Sequence, residues 1–299
     1  MPSPLRAAIR KRISFCGAGR IGSRFVGIGV MHAPSIVPSK DGTPLACWRQ
    51  GSGPALLLVH GGLCDHLAWH FAAPLLANRL TVWTFDRRGR GESGTTQPWS
   101  VEREVEDILA LLGAIGEPAH LLGHSAGAIL SLRAASGAHP VRSLMVYEPP
   151  YLMAGQRERA APELLAQIER LLRMGDCDEA LRIAMRATVG LSDGEIDAMR
   201  SSPGWEHLRG AAPALPNDWR IWQEPFDPEI LKRVTVPSLV LAGTESPDWM
   251  RAAARAVLAA LPAATFAELA GQGHSAMVTA PELFANAVCQ FADHVPAGR

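Results

Sequence analysis

Short apolar runs alternate along this chain with segments of helical periodicity. The run Ala55-Leu56-Leu57-Leu58-Val59 is typical of a strand buried on both faces, and similar runs recur at residues 81–85, 119–123, 143–147, 237–242 and 265–269. Between most of them, apolar residues are spaced by three and four, at residues 69–76, 101–112, 126–135, 249–261 and 281–295. This alternation predicts an α/β fold with a mostly parallel sheet covered by helices on both faces.

One long segment interrupts the alternation. Residues 149–227 show helical periodicity without a strand run, and prolines punctuate the second half. We therefore predict a helical lid at residues 151–227, inserted between two parts of the core at residues 38–150 and 228–299. Three lid tryptophans are candidates for the roof of an apolar pocket, although burial within the lid would explain any one of them equally well; they are Trp205, Trp219 and Trp222.

Residues 1–37 form a basic extension that we expect to be flexible. Residues 1–40 carry seven basic residues and no acidic one before Asp41, which suits a targeting segment or an extension upstream of a start at Met31. The extension contains Gly17-Ala18-Gly19-Arg20-Ile21-Gly22, a formal dinucleotide-binding pattern. Neither a full strand precedes this pattern nor a helical stretch follows it, so nucleotide binding is not the favoured interpretation.

Charge and cysteine usage exclude several classes of partner. The 29 basic residues equal the 29 acidic ones, which argues against nucleic acid. No apolar stretch approaches the ~18 residues of a membrane span. The five cysteines are scattered without a metal-binding spacing, as in proteins of a reducing compartment. We expect a cytoplasmic protein that acts on a small molecule and needs no metal or organic cofactor; the oligomeric state is left open.

The segment Gly123-His124-Ser125-Ala126-Gly127 fits the pattern G-x-S-x-G between a buried strand and a helical stretch. A nucleophile on such a sharp turn has strained backbone, so small residues must flank it. The helix N-terminus also aims the backbone N–H of Ala126 at a developing oxyanion. Ser125 is therefore the predicted nucleophile, and His124 is a packed neighbour that could also border the substrate pocket.

A glycine pair follows the strand at residues 55–59. In His60-Gly61-Gly62 the glycines leave a backbone N–H available, and we expect that of Gly62 to be the second oxyanion donor. Leu63, next along the chain, is a candidate pocket residue. The segment at residues 86–93 ends the next strand, and we interpret Asp86 and Arg88 as residues that fix this loop.

With these motifs in this order, residues 38–295 resemble the α/β-hydrolase-fold proteins. The resemblance implies the chain order serine, acid, histidine. Gly271-Gln272-Gly273-His274 matches the position of the family's histidine, after the last strand run. His274 is thus the predicted general base.

The acid departs from the common pattern of the family, an aspartate after the penultimate strand. Ser246 occupies that position, beside Glu245 and Asp248. The alternative is Glu148 at the end of the strand after the nucleophile, the position from which zearalenone-type lactonases and a branch of the haloalkane dehalogenases take their acid. A carboxylate at a buried strand end needs a partner such as an imidazole, so Glu148 is favoured over Glu245 and Asp248.

A serine nucleophile excludes the dehalogenase and epoxide-hydrolase chemistries, which need a carboxylate there. The predicted reaction is hydrolysis of an ester or lactone of a small, largely apolar substrate through an acyl-enzyme. A cofactor-free perhydrolase, an acyltransferase or a carbon–carbon bond hydrolase would use the same residues. A non-catalytic binding protein on this fold is the remaining alternative.

Overall fold

An eight-stranded sheet runs through the part of the chain that the computed structural model describes, residues 33–137, 140–153, 162–188, 191–202 and 204–296. Its spatial order is β1-β2-β4-β3-β5-β6-β7-β8. The first two strands pair antiparallel with each other and β2 pairs antiparallel with β4, whereas all other neighbours are parallel. The strands are β1 (Ser35–Pro38), β2 (Pro44–Gln50), β3 (Ala55–Val59), β4 (Thr81–Phe85), β5 (Ala119–His124), β6 (Val141–Tyr147), β7 (Ser238–Gly243) and β8 (Ala264–Leu269).

Helices cover both faces of this sheet because side chains on each strand alternate between them. The helices outside the lid are α1 (Ala72–Leu76), α2 (Val101–Ile115), α3 (Ala126–Ala135), α9 (Pro228–Leu231), α10 (Asp248–Ala260), α11 (Ala276–Thr279) and α12 (Pro281–His294). In β3, Leu57 and Val59 pack with α2, α3 and α10, whereas Leu56 and Leu58 pack with α1 and α12.

The lid lies between β6 and β7 and has a buried core of its own. Its helices are α4 (Pro162–Arg173), α5 (Cys177–Thr188), α6 (Asp193–Arg200), α7 (Gly204–Ala211) and α8 (Leu215–Trp222). That core includes Ile168, Leu181, Leu208 and Leu215, which are 4% exposed or less. A side chain from outside the lid, that of Leu63, belongs to the same cluster.

The predicted α/β architecture is confirmed, and the predicted strand runs correspond to β3 to β8. The hairpin of β1 and β2 was not among the predicted strand runs; Gly42 in its turn has a φ of +82°. It is short and half exposed, so it lacks the continuous apolar run of a buried strand. The first strand of the sheet begins at Ser35.

The glycine-rich pattern at residues 17–22 and most of the basic extension lie outside the described residues. Within the described ones, no helix has both the length and the apolar character needed to span a bilayer.

The parallel register brings the carboxyl ends of the central strands to one edge. Val59 of β3 pairs with Gly123 of β5, and His124 pairs with Tyr147 of β6. Tyr147 in turn pairs with Leu241 of β7. The loops that follow these strands, together with the loop after β8, therefore meet at the same edge, where open α/β sheets bind ligands.

Candidate active site

Ser125 lies on a strained turn between β5 and α3. Its φ of +54° and ψ of −123° belong to neither a helix nor a strand. The flanking glycines permit this turn: a Cβ on Gly123 would lie 2.3 Å from the carbonyl oxygen of Gly127, and one on Gly127 would lie 2.3 Å from that of Val59. The backbone N–H of Ser125 is held by the carbonyl of Tyr147 at 3.0 Å.

His274 and Glu148 meet at this edge of the sheet. The distance between Nδ1 of His274 and Oε2 of Glu148 is 2.7 Å. A carboxylate accepts, so Nδ1 carries the hydrogen and Nε2 keeps the lone pair that a general base needs. Glu148 is fully buried, and its other oxygen accepts from the backbone N–H of Gly243 at 2.7 Å and from the hydroxyl of Ser246.

The two other carboxylates considered from the sequence face solvent. Glu245 is exposed, and its backbone N–H donates to the carbonyl of Gln272. The side chain of Asp248 is 94% exposed and pairs with Arg251 at 2.6 Å. The structure thus brings Glu148, and neither of these two, to Nδ1 of His274.

Three non-glycine residues among those described have a left-handed backbone, and all three are predicted site residues. Leu63 has a φ of +53°, Ser125 of +54° and Glu148 of +48°. Such conformations cost of order 1–3 kcal/mol each and persist only where the surroundings enforce them. They coincide with the candidate nucleophile, the candidate acid and the loop that follows β3, which makes this edge of the sheet the candidate functional site.

His124 supports the histidine loop from beneath. Its Nε2 donates to the backbone carbonyl of His274 at 2.8 Å, and the two rings are 4.5 Å apart between centroids. Burial lowers the pKa of His124 well below its usual value, and the neighbouring His274 acts in the same direction. His124 is 5% exposed and neutral, which fits the packed neighbour predicted from the sequence better than a wall of the pocket.

Tyr147 also holds this loop, a role that the sequence analysis missed. Its hydroxyl donates to the carbonyl of Gly273 and accepts from the N–H of Ala276 at 3.3 Å. A tyrosine within an apolar strand run has no motif of its own, so only the packing reveals this function.

The oxyanion loop comprises residues 60–63, directly after β3. The carbonyl of Gly61 accepts from Nδ1 of His60 at 2.9 Å and from Nη1 of Arg87 at 3.1 Å. The C=O and N–H of a trans peptide point in opposite directions, so the N–H of Gly62 is directed away from Arg87. A Cβ on Gly61 would come 3.1 Å from the Cβ of Ser125, which places the loop beside the candidate nucleophile.

His60 is structural in this loop. Its Nδ1 donates to Gly61, and its Nε2 accepts from the backbone N–H of Arg87 at 3.1 Å. Burial, with Arg87 and Arg90 nearby, lowers the pKa of His60 well below its usual value. The ring is therefore neutral with one defined tautomer.

The lid tryptophans differ in their surroundings. Trp222 approaches the oxyanion loop, since a Cβ on Gly62 would lie 2.7 Å from its Cζ2. Trp219 is 2% exposed, and Trp205 is 4% exposed with its indole N–H bound to Asp178; both belong to the lid core. Burial in the lid explains Trp205 and Trp219, whereas Trp222, which lies against Gly62, stays a candidate for the roof of a pocket.

One group of potential metal ligands lies near this site, in the part of the chain that the structure describes. One ligand atom from each of Asp65, His66 and Asp86 lies within 4.8 Å of the others. Asp86 already accepts from Nδ1 and the backbone N–H of His66 and from the N–H of Glu92, at 2.7–2.8 Å. These bonds give Asp86 the loop-fixing role predicted for it, and Arg88 fulfils the same role by binding Asp107 at 2.6 Å.

The sheet order, the serine turn and the histidine–carboxylate pair define the class of α/β-hydrolase-fold proteins. The chain belongs to the alpha/beta hydrolase family, which it matches over residues 56–287. It is similar to the structure of an alpha/beta hydrolase from Sphaerobacter thermophilus, with a TM-score of 0.80 and 36% identity over 86% of this chain and all of that one.

Among characterised sequences, the chain is 32% identical to N-formylmaleamate deformylase of Pseudomonas putida over 56% of this chain and 58% of that protein. It is 30% identical to lipase LipV of Mycobacterium tuberculosis over 67% of this chain and 78% of that protein. The chain spans from 17% to 58% of the length of the first curated relatives that it matches.

Proposed function

We propose that the protein is a serine hydrolase that cleaves a carboxylic ester or lactone of a small, neutral, largely apolar substrate. The observation that carries this proposal is the bond between Nδ1 of His274 and the buried carboxylate of Glu148, at the sheet edge that also holds the strained Ser125. These three groups have the chain order serine, acid, histidine.

In this reaction, Nε2 of His274 takes the proton of the Ser125 hydroxyl as Oγ attacks the substrate carbonyl. The backbone N–H groups of Gly62 and Ala126 bind the oxyanion of the tetrahedral intermediate. The proton then passes from His274 to the leaving alcohol, and an ester bond joins Ser125 to the acyl group. Water, activated by the same imidazole, hydrolyses this acyl-enzyme and restores the serine.

Glu148 keeps the hydrogen of His274 on Nδ1 and stabilises the imidazolium that forms transiently. The two hydrogen bonds to Oε1, from Gly243 and Ser246, hold the carboxylate in place beside the imidazole. Burial strengthens its interaction with the imidazolium, because little water competes there.

The charges near the site support a neutral substrate. Arg87 and Arg90 lie behind the oxyanion loop, but both bind the buried carboxylates of Glu104 and Asp218. His124 beside the nucleophile is neutral. A substrate carboxylate would find none of these cations unpaired, whereas the partly buried Trp222 offers an apolar surface.

Amide hydrolysis is a second candidate, supported by the 32% identity to the deformylase. It needs the same residues, with protonation of an amine in place of an alcohol. Acyl transfer to another acceptor would share the acyl-enzyme, so all of these reactions depend on Ser125.

The test is hydrolysis of p-nitrophenyl butyrate together with covalent labelling by a fluorophosphonate. Ser125→Ala should lose at least about 10⁴-fold in kcat and all labelling, because the nucleophile is removed. Ser201→Ala, at an exposed lid serine, is the control and should keep both. Retained labelling and turnover in a folded Ser125→Ala protein would contradict the proposal. If the serine mechanism holds, relative activity on a panel of esters, lactones and formamides distinguishes ester or lactone hydrolysis from amide hydrolysis.

A further inference from the structure

Arg87 orients one peptide group of the oxyanion loop, and two buried carboxylates hold Arg87. Its Nη1 donates to the carbonyl of Gly61, as described above. Nε and Nη2 donate to both oxygens of Glu104, at 2.7 and 3.0 Å, and Nη1 also donates to Asp218 at 3.2 Å. The three charged side chains are each 1% exposed or less, so water does not replace these contacts.

A fourth charge completes this buried network. Arg90 donates from Nη2 to Oδ1 of Asp218 at 2.6 Å and from Nη1 to Glu104 at 3.4 Å. The positive charges of two guanidinium groups are therefore balanced by the negative charges of two carboxylates. Removal of one carboxylate would leave a buried positive charge without its partner, which proteins tolerate poorly.

Asp218 belongs to the lid, whereas Arg87, Arg90 and Glu104 belong to the core. Its Oδ2 accepts a hydrogen bond from the backbone N–H of Leu63 at 2.9 Å. The lid thus contacts the peptides on both sides of Gly62: it holds the Gly61 carbonyl through Arg87 and the Leu63 N–H directly. A Cβ on Gly62 would come 3.0 Å from Cγ of Asp218, so the carboxylate lies against the loop itself.

The conformation of Leu63 ties the same loop to the lid a second time. Its left-handed φ of +53° is unfavourable for a branched side chain and needs enforcement by its surroundings. Its side chain packs in the lid core, in the cluster that contains Trp219. Hydrogen bonding to Asp218 and packing in the lid therefore fix the same residue.

We propose that Asp218 is a positioning residue through which the seated lid sets the geometry of the oxyanion hole. With the lid seated, Asp218 fixes Arg87 and Leu63, and the intervening N–H of Gly62 is held toward the nucleophile. A lid that withdraws leaves Leu63 without its acceptor and Arg87 without one counterion. The oxyanion hole therefore stabilises the transition state only while the lid covers the site, so substrates are hydrolysed away from bulk water. This inference rests on the proposed hydrolase function.

The first test compares Asp218→Asn with the wild type on p-nitrophenyl butyrate. Loss of one oxyanion donor costs enzymes about 10²–10³-fold in kcat, and misplacement of one donor should cost about 10–100-fold. KM should change less than threefold, because Asp218 acts on the oxyanion donor that binds the transition state and not on the ground-state ester. Asp178→Asn is the matched control: it removes a lid carboxylate that binds Trp205 at 2.7 Å, and kcat should stay within threefold.

A second measurement distinguishes a misplaced oxyanion donor from a general disturbance of the protein structure. An aliphatic trifluoromethyl ketone forms a tetrahedral adduct with the serine, so its affinity reports on the oxyanion hole. The inhibition constant in Asp218→Asn should rise by the same factor as kcat/KM falls. The charge-balanced double variant Arg90→Gln/Asp218→Asn should show the same loss, and it keeps the experiment decisive if the buried charge prevents the single variant from folding.

The outcomes are distinguishable. A folded single or double variant with kcat within threefold of the wild type would overturn the inference and leave the proposed function intact. A lower kcat with an unchanged inhibition constant would also overturn it, because the oxyanion hole would then be undisturbed. A wild-type protein that neither hydrolyses the ester nor reacts with the fluorophosphonate would contradict the proposed function, and the inference with it.

Discussion

The hydroxyl of Ser246 donates a hydrogen bond to Oε1 of Glu148, whose other oxygen binds Nδ1 of His274 at 2.7 Å. Ser246 stands where the family commonly has its acid, after the penultimate strand, and Glu148 follows the neighbouring strand β6. The loop after β7 thus supports a carboxylate from another strand. Its backbone contributes as well, through the N–H of Gly243.

The first prediction concerns the identity of the acid. Glu148→Gln should lower kcat on p-nitrophenyl butyrate by up to ~10⁴-fold with little change in KM, because the imidazole loses the partner that fixes its tautomer. Glu245→Gln and Asp248→Asn should change kcat less than tenfold, since both side chains are exposed. The reverse ranking in steady-state kinetics would assign the acid to the loop after β7.

The second prediction is that the acid can be moved to the common position of the family. Ser246 already touches the carboxylate of Glu148, so an aspartate at 246 would place its oxygens near His274 once the glutamate is shortened. Glu148→Ala/Ser246→Asp should exceed Glu148→Ala in kcat by at least tenfold. Ser246→Asp alone brings two carboxylates together and should lower kcat. Equal kcat values for the double variant and Glu148→Ala would contradict this.

The third prediction is that buried histidines make the folded protein less stable as the pH falls. Burial, with Arg142 nearby, lowers the pKa of His120 from 6.5 to about 4; this histidine belongs to β5 and is fully buried. Between these values the unfolded chain binds a proton that the folded protein does not. The free energy of unfolding should therefore fall as pH decreases from 6.5, by ~1.4 kcal/mol per pH unit from His120 alone.

Urea unfolding at pH 7, 6 and 5 measures this effect. His120→Gln should lose that share of the acid sensitivity, whereas the control His70→Gln, at an exposed histidine, should retain all of it. His60 and His124, whose pKa values are also lowered by burial, should keep some acid sensitivity in both variants. An unchanged slope in His120→Gln would refute the assignment.

The fourth prediction separates the two neighbouring lid tryptophans, whose ring centroids are 6.2 Å apart. Trp222→Ala should change the ranking of butyrate and octanoate esters in kcat/KM, because Trp222 approaches the oxyanion loop. Trp219→Ala should mainly lower the free energy of unfolding, by about 3–5 kcal/mol, since it empties a site in the lid core. Thermal unfolding and ester kinetics on both variants check this, and a change of ranking in Trp219→Ala alone would reverse the assignment.

The architecture and the two candidate site residues with the clearest motifs could be predicted from the sequence. Buried parallel strands are continuous apolar runs, so β3 to β8 could be located from local composition. Ser125 lies in a pattern whose glycines are needed at fixed distances along the chain, and His274 follows the last strand run. Such features depend on neighbouring residues, which a sequence displays directly. The hairpin of β1 and β2 was missed because short, half-exposed strands lack that local signal.

The sequence favours Glu148 as the partner of His274 but leaves Glu245 and Asp248 open. The three carboxylates differ in burial and direction, which depend on how β6 and β7 pair, so the tertiary structure makes the choice. The hydrogen bond between Arg87 and Asp218 joins residues 131 positions apart, so no local sequence pattern predicts it. A buried charge needs a partner, but the sequence does not state which one. The packing of the lid on the core makes that choice.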